Sequence, residues 1–386
     1  MRIFKNPNIF NTTMKGIYLI FILLLFLLLA CSKSEIKEFK IGVIAPLTGP
    51  NAWIGEFLIP SIDLAVEDIN SKGGIKRMKI KTIIEDADTS AKASTAANKL
   101  ISVDNVDVLY PITTPVVAPA SAIAEQNKVP TFTFTSVNAF AKKNTWVFTD
   151  LRDIVQECSS LAKAALKNNH KKIAVLGNDA DFTLECLDTL NKEFVPNGGQ
   201  VIAKEIKLSN NPDARTPLLK LKESKPEAMF IICWPPDCNL IYKQMIELGF
   251  TPQLYIPIGF PLGINPLSLK DMDKDLLLKN AFASDTALNQ DDPTPELAKF
   301  KDKLVKKIGK EPRQVVDAAV AYDDIHEIAI AASKCKDLTN ECIRSNLEQT
   351  DYTGVAGNVK FDGKHYAARA SRVIQYKDGK WVTFPL

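Results

Sequence analysis

Lys40-Ile-Gly-Val-Ile-Ala-Pro-Leu-Thr-Gly49 is an apolar run closed by a proline and a glycine, the pattern of a parallel strand buried on both faces. Downstream, Ile62, Ala65, Val66 and Ile69 recur at the i, i+3, i+4, i+7 spacing of one helical face, which stops at Gly73-Gly74. The strand-helix rhythm then repeats, with strands expected over 78–85, 106–110 and 131–135 and helices over 90–102 and 116–126. A second series starts near Asp153. It gives a helix to about 168, strands over 172–176, 200–206, 228–232 and 254–257, and helices ending near 194, 223 and 248 between them. Such alternation argues for an α/β fold with parallel sheets covered on both faces. Helices over 296–307, 315–333 and 340–347 follow, and the chain ends in turns and antiparallel strands around 372–376 and 381–384. Only Asn144-Thr-Trp-Val-Phe-Thr-Asp150 joins the two series; with no Pro/Gly/Ser linker, a hinge is expected rather than two tethered beads.

The 386 residues, 46% hydrophobic and 24% charged, suit two folded domains. Of 48 basic side chains, Arg2, Lys5 and Lys15 precede residue 31, and no acid does, leaving 45 of each sign in the remainder. A neutral folded part without basic runs excludes a nucleic-acid binder. Ile17 to Ala30 is fourteen apolar residues behind Lys15, short of the roughly 18 to 20 that span a bilayer as a helix, and reads as a signal segment over 1–30. Leu28-Leu29-Ala30-Cys31 resembles the lipobox of bacterial lipoproteins, which implies cleavage before Cys31, a lipid on its thiol, and an exported chain held to a membrane. Met14 would serve as an alternative start. Six cysteines remain, and Cys335 and Cys342 are the local disulfide candidates; pairing among Cys158, Cys186, Cys233 and Cys238 stays open. The three histidines, His170, His326 and His365, show no ligand spacing, so no metal is expected.

Ile41-Gly-Val-Ile-Ala-Pro-Leu-Thr-Gly49, Ala65-Val-Glu-Asp-Ile-Asn-Ser-Lys-Gly-Gly-Ile75, Tyr352-Thr-Gly-Val-Ala-Gly-Asn-Val-Lys-Phe-Asp-Gly363 and Asp378-Gly-Lys-Trp381 stand in that order. Together they resemble a type I periplasmic binding protein, in particular the leucine/isoleucine/valine-binding class of ABC-transporter receptors. The resemblance implies two Rossmann-like lobes joined by three crossovers near 149–151, 281–287 and 351–355. The first lobe would hold 39–149 and 286–352, the second 150–285 and 353–386. It also implies a small-molecule ligand in the cleft, an ABC permease as partner, a monomer and no cofactor. A ligand sensor read by a signalling partner, or a surface lipoprotein that no longer binds small molecules, would share the fold.

Ligands of doubly wound sheets bind outside the carboxyl ends of strands, where helix N-termini favour anions. Thr113 and Thr114 lie there after one strand, Thr135 and Ser136 after the next. The resemblance makes Thr114 and Thr135/Ser136 contacts to a ligand carboxylate, with helix capping as the plainer alternative. Trp53, Phe182 and Trp234 fall where the family places aromatic contacts. Branched amino-acid binders carry an acid after the last strand of the second lobe, but this chain reads Ile256-Pro-Ile-Gly-Phe260, and Ile258 cannot pair with an ammonium. Asp317 is the substitute candidate, with a helix-dipole role as the alternative. The expected ligand is a small carboxylate with an apolar or aromatic tail, and a zwitterionic apolar or branched amino acid is the second choice. No G-x-G-x-x-G, Walker loop or G-x-S-x-G occurs, and an enzyme is not expected.

Overall fold

Two open sheets, each covered by helices on both faces, organise the chain. The computed structural model describes residues 37–386 other than 208–212, 234–236, 258–275, 280, 287–292, 313, 362, 368, 370 and 379. Cys31, Trp234 and Ile258 lie outside the described residues. The first series runs β1 (Glu38–Ala45), α1 (Ala52–Ser71), β2 (Lys79–Asp86), α2 (Ser90–Ser102), β3 (Val108–Pro111), α3 (Thr114–Asn127), β4 (Thr131–Phe132), α4 (Ala139–Lys143) and β5 (Val147–Phe148). The second runs α5 (Ile154–Lys167), β6 (Lys172–Asn178), α6 (Asp181–Thr189), β7 (Gln200–Lys207), α7 (Arg215–Glu223), β8 (Ala228–Ile232), α8 (Asp237–Glu247), β9 (Gln253–Ile256) and β10 (Phe282–Thr286). Then come α9 (Pro295–Ile308), α10 (Val315–Ser333), α11 (Asn340–Leu347), β11 (Asp351–Gly354), β12 (Gly357–Lys360), β13 (Ser371–Lys377) and β14 (Lys380–Thr383).

The first sheet has the order β2-β1-β3-β4-β5, the second β14-β13-β10-β9-β8-β6-β7. In the first, β1–β3, β3–β4 and β4–β5 pair in parallel. In the second, β6 to β10 pair in parallel, β13 runs against them, and β14, antiparallel to β13, runs with them again. Alternation along β1 sends Ile41, Val43 and Ala45 into one core and Ile44 into another, which is why its run is apolar without a polar face. The second sheet is likewise sandwiched between two buried clusters. Phe39 to Leu386 forms one compact unit, and among the described residues no helix is long and apolar enough to cross a membrane.

Two findings depart from the sequence reading, and a third fills in pairings that it left open. Helix α1 begins at Ala52, ten residues before its periodic face, and runs through Pro60; burial of Trp53, Ile54, Phe57 and Leu58 outweighs the one ladder bond that a proline removes. Trp53 therefore sits in a helix's first turn, not in a loop. Residues 355–367, expected with the second lobe, pack on the first sheet: Val359, Phe361 and Ala367 join its core, and Phe361 meets the edges of Phe132 and Phe148. The chain returns to the second sheet only at β13. Finally, all six remaining cysteines pair, as Cys158–Cys186, Cys233–Cys238 and the expected Cys335–Cys342, with Cα separations of 5.6, 5.5 and 5.8 Å, within the range that a disulfide spans.

Candidate functional site

The carboxyl end of the first sheet gathers four of the predicted hydroxyl residues. Thr113 and Thr114 open α3, and Thr114 Oγ1 lies 3.1 Å from Thr135 Oγ1, beyond β4. Thr113 makes no side-chain cap bond to α3, so its hydroxyl is not spent on the capping role. Its backbone takes φ 76° and ψ 145°, a region that is essentially reserved for glycine and is costly for a β-branched residue. The strain is held by Thr113 N–H donating to Phe134 O at 3.1 Å and by Val117 N–H donating to Thr113 O at 2.8 Å. Thr135 is buried, and its hydroxyl accepts from Val137 N–H at 3.3 Å. Ser136 is buried too, and its carbonyl accepts from Ile154 N–H at 3.2 Å. That bond ties the first sheet's edge to the start of α5, on the second sheet.

Backbone strain of this kind stores of order 1–3 kcal/mol, while glycine adds roughly 0.5–1 kcal/mol of unfolded-chain entropy. Thr113→Gly is therefore expected to raise the melting midpoint slightly and Thr113→Val to leave the strain in place. A calorimetric scan in which the glycine variant melts below the parent would refute the strain.

The aromatic candidates are placed apart. Trp53 stacks obliquely on Phe57, with ring centroids 5.9 Å apart, and belongs to the same core as Phe134, Leu151 and Val316. The loop before it is fixed by Asp86 at the end of β2, which accepts from Leu47 N–H at 2.8 Å and Thr48 N–H at 3.2 Å. Phe182 is half-buried in the first turn of α6, against the second sheet's core. A surface hollow of about 240 Å³ between Ala141–Thr145 and Lys364–Tyr366 holds none of the predicted residues.

Asp317, on the first turn of α10, is 2% exposed and already has a cation. Arg152 Nη1 donates to its Oδ1 at 2.7 Å and Nη2 to its Oδ2 at 3.3 Å, a forked pair, and Arg152 Nε lies 3.5 Å from Glu157 Oε1. Arg152 and Glu157 are themselves buried and were not among the predicted residues. The signal for them was the sequence Asp150-Leu-Arg-Asp153, three charges set between a buried strand and a buried helix. Arg152 stands two residues before Ile154, whose N–H donates to Ser136 O. Nearby, burial and the Asp153 carboxylate push Glu185 on α6 up to about 7, against the pull of Lys142 and Lys143 on α4. Chemically, the cluster offers an anion hydroxyls and a helix N-terminus, while the Arg152 guanidinium and the Asp317 carboxylate are committed to each other.

A family model described as periplasmic binding protein matches residues 38–380. The chain is similar to Leu/Ile/Val-binding protein homolog 7 of Brucella suis biovar 1, with 26% identity over 92% of this chain and 93% of the relative. Its fold is similar to that of a solute-binding protein of an ABC transporter from R. palustris in complex with 4-hydroxybenzoate, at a TM-score of 0.78, 18% identity, and coverage of 91% of this chain and 96% of that one. It is also similar to the branched-chain amino acid transporter substrate-binding protein LivJ of Streptococcus pneumoniae in complex with isoleucine, at a TM-score of 0.75, 21% identity, and coverage of 90% and 100%.

Proposed function

Because the chain belongs to the periplasmic binding protein family, we propose that it is an exported receptor, held to a membrane by lipid on Cys31, which closes two lobes on a small carboxylate and presents it to an ABC permease. It is a solute-binding protein and not an enzyme. The ligand we assign has an apolar or aromatic body and no ammonium. The observation that carries this choice is the forked Arg152–Asp317 pair. An amino-acid ligand would bring a second cation to a carboxylate whose two oxygens are already engaged, and a buried ammonium left short of a partner costs several kcal/mol. A bare carboxylate has no such demand. It is served by the Thr114 and Thr135 hydroxyls and the positive end of α3. Solved structures with this fold include complexes with 4-hydroxybenzoate and with isoleucine, so the fold admits both classes and the local charges choose.

The lobes we assign are 39–149 with 294–367, and 150–286 with 371–386. This division is supported by the first sheet's core, which takes in Leu297, Ile325 and Phe361, and by the second sheet, which takes in β13. A thermal-shift screen of residues 32–386 tests the reading. Aromatic and aliphatic monocarboxylates at about a thousand times their dissociation constant stabilise by roughly 4 kcal/mol, and branched or aromatic amino acids at the same concentrations leave the midpoint unmoved. A rise with amino acids alone would overturn the ligand class. A flat response to both would favour a surface lipoprotein without small-molecule binding.

A further inference from the structure

Where the chain passes between the sheets, one buried guanidinium faces four buried carboxylates. Arg369 stands just before β13 and Asp150 just after β5, so both lie on crossovers of the lobe division proposed above, on which this inference rests. Arg369 Nη2 bonds Asp150 Oδ2 and donates to Glu327 Oε1 at 3.2 Å; Asp324 Oδ1 and Asp323 Oδ2 each lie 3.9 Å from the guanidinium. All five residues are 5% exposed or less. Asp323 is charge-compensated by Val355 N–H at 3.0 Å and Ala356 N–H at 2.7 Å, with Tyr352 Oη at 3.5 Å. Tyr110 Oη donates to Asp324 Oδ2. These groups come from every element packed on the cluster: β3, both crossovers, α10 and the β11–β12 turn.

Were all four acids ionised, the cluster would carry a net charge of minus three in a dry interior, which is prohibitive. Oxygens of Asp150, Asp324 and Glu327 lie within 4.8 Å of one another. Asp150 Oδ1, Asp324 Oδ1 and Glu327 Oε2 are fully buried and receive no donor from the described residues. Arg369 already occupies the cation's place among them. We propose that protons held on Asp324 and Glu327, beside the Arg369-bonded Asp150, complete the cluster at neutral pH, so that the joint between the lobes is a proton-loaded latch that tightens in acid and loosens in alkali. Burial and the neighbouring Asp150 charge hold Asp324 and Glu327 well above the usual carboxylate range, and burial, opposed by Arg369, leaves Asp323 near 6.

Above about pH 4 the unfolded chain has released these protons while the folded chain keeps them, so the folded state gains as pH falls and loses as pH rises through the folded values. The test uses the mature chain. At pH 7.5 its infrared spectrum should contain the carbonyl stretch of protonated carboxylic acid, diminished in Glu327→Gln and in Asp324→Asn. Those variants should melt about 2 to 4 °C above the parent at pH 8.5 and at the parent's temperature near pH 5. Amide exchange at Thr149 and Ala367, corrected for intrinsic rate, should accelerate with pH in the parent and not in the variants. Absence of the protonated band, or a band and midpoint that change only on adding a divalent cation, would overturn the proposal. Ligand-induced compaction, followed by small-angle scattering, separates the two readings: its absence alongside the band removes the two-lobed receptor, and its presence without the band removes the latch. Should either variant fail to fold, the parent's own band and exchange profile still decide.

Discussion

Replacing Arg152 by methionine is expected to lower stability by about 3 to 5 kcal/mol, the cost of breaking a buried ion pair from one side. The substitution keeps most of the side chain's apolar stem and removes the guanidinium from Asp317 and Glu157, which are 2% and 1% exposed. The loss should shrink in acid, because protonation relieves the stranded carboxylates. Adding Asp317→Leu to the methionine variant should recover the share owed to Asp317, since a buried pair exchanged for apolar groups of similar volume is near neutral or stabilising, while Glu157 stays without the guanidinium. Urea unfolding of the parent, the two single variants and the double variant closes the cycle, and additive losses would mean that the fork does not hold the pair together. The functional half is sharper. Without Arg152, the Asp317 carboxylate becomes the acid that an α-ammonium needs, so an apolar amino acid should shift the melting of the variant at concentrations that leave the parent unmoved. An amino acid that stabilises the parent as strongly as the variant would sink Arg152 as the determinant of ligand class.

Why Arg152 was hard to find is instructive about what a single sequence reveals. Apolar periodicity placed β1, α10 and the two terminal strands, because those elements bury side chains in regular register: α10 runs from Val315 to Ser333, as its pattern predicts. The same logic fell short at α1, whose periodic face from Ile62 leaves out its first ten residues, and at 355–367, where a short hairpin and the turn after it carry the apolar Val359 and Phe361 to a sheet more than two hundred positions earlier in the chain. Sequence order says little about which of two similar cores such a segment joins. For the site, Thr113, Thr114, Thr135 and Ser136 were legible because strand ends in this topology point to one edge. Asp317 was legible as an unusual acid, but its pairing with Arg152, 165 residues away, was not. The acids at 323, 324 and 327 carried a signal too: a helix apolar on nearly all faces that still holds four carboxylates must bury them, and only Arg369 and Asp150, far off in sequence, explain how.

Removing the Cys158–Cys186 disulfide should cost more than removing either of the other two. Its half-cystines are 28 residues apart, against 5 for Cys233–Cys238 and 7 for Cys335–Cys342. Loop-closure entropy then gives about 3.5 kcal/mol for the long loop and about 2 kcal/mol for each short one. Cys158→Ala with Cys186→Ala should therefore melt well below Cys335→Ala with Cys342→Ala, although both partners of the first pair and Cys335 are equally buried, which keeps cavity costs comparable. A reversed ranking would mean that local packing, not chain closure, sets the value of these bonds. The long bridge also acts on the site. It joins α5, which starts at the backbone contact with Ser136, to α6, whose first turn carries Asp181 and Phe182. With the bridge gone, exchange at the α6 amides should rise before global unfolding, and carboxylate affinity should fall with it, because closing the lobes must then also order that wall. An exported chain meets the oxidising conditions that keep such a bridge closed, so the same protein made in a reducing compartment should be less stable and a weaker binder from the same cause.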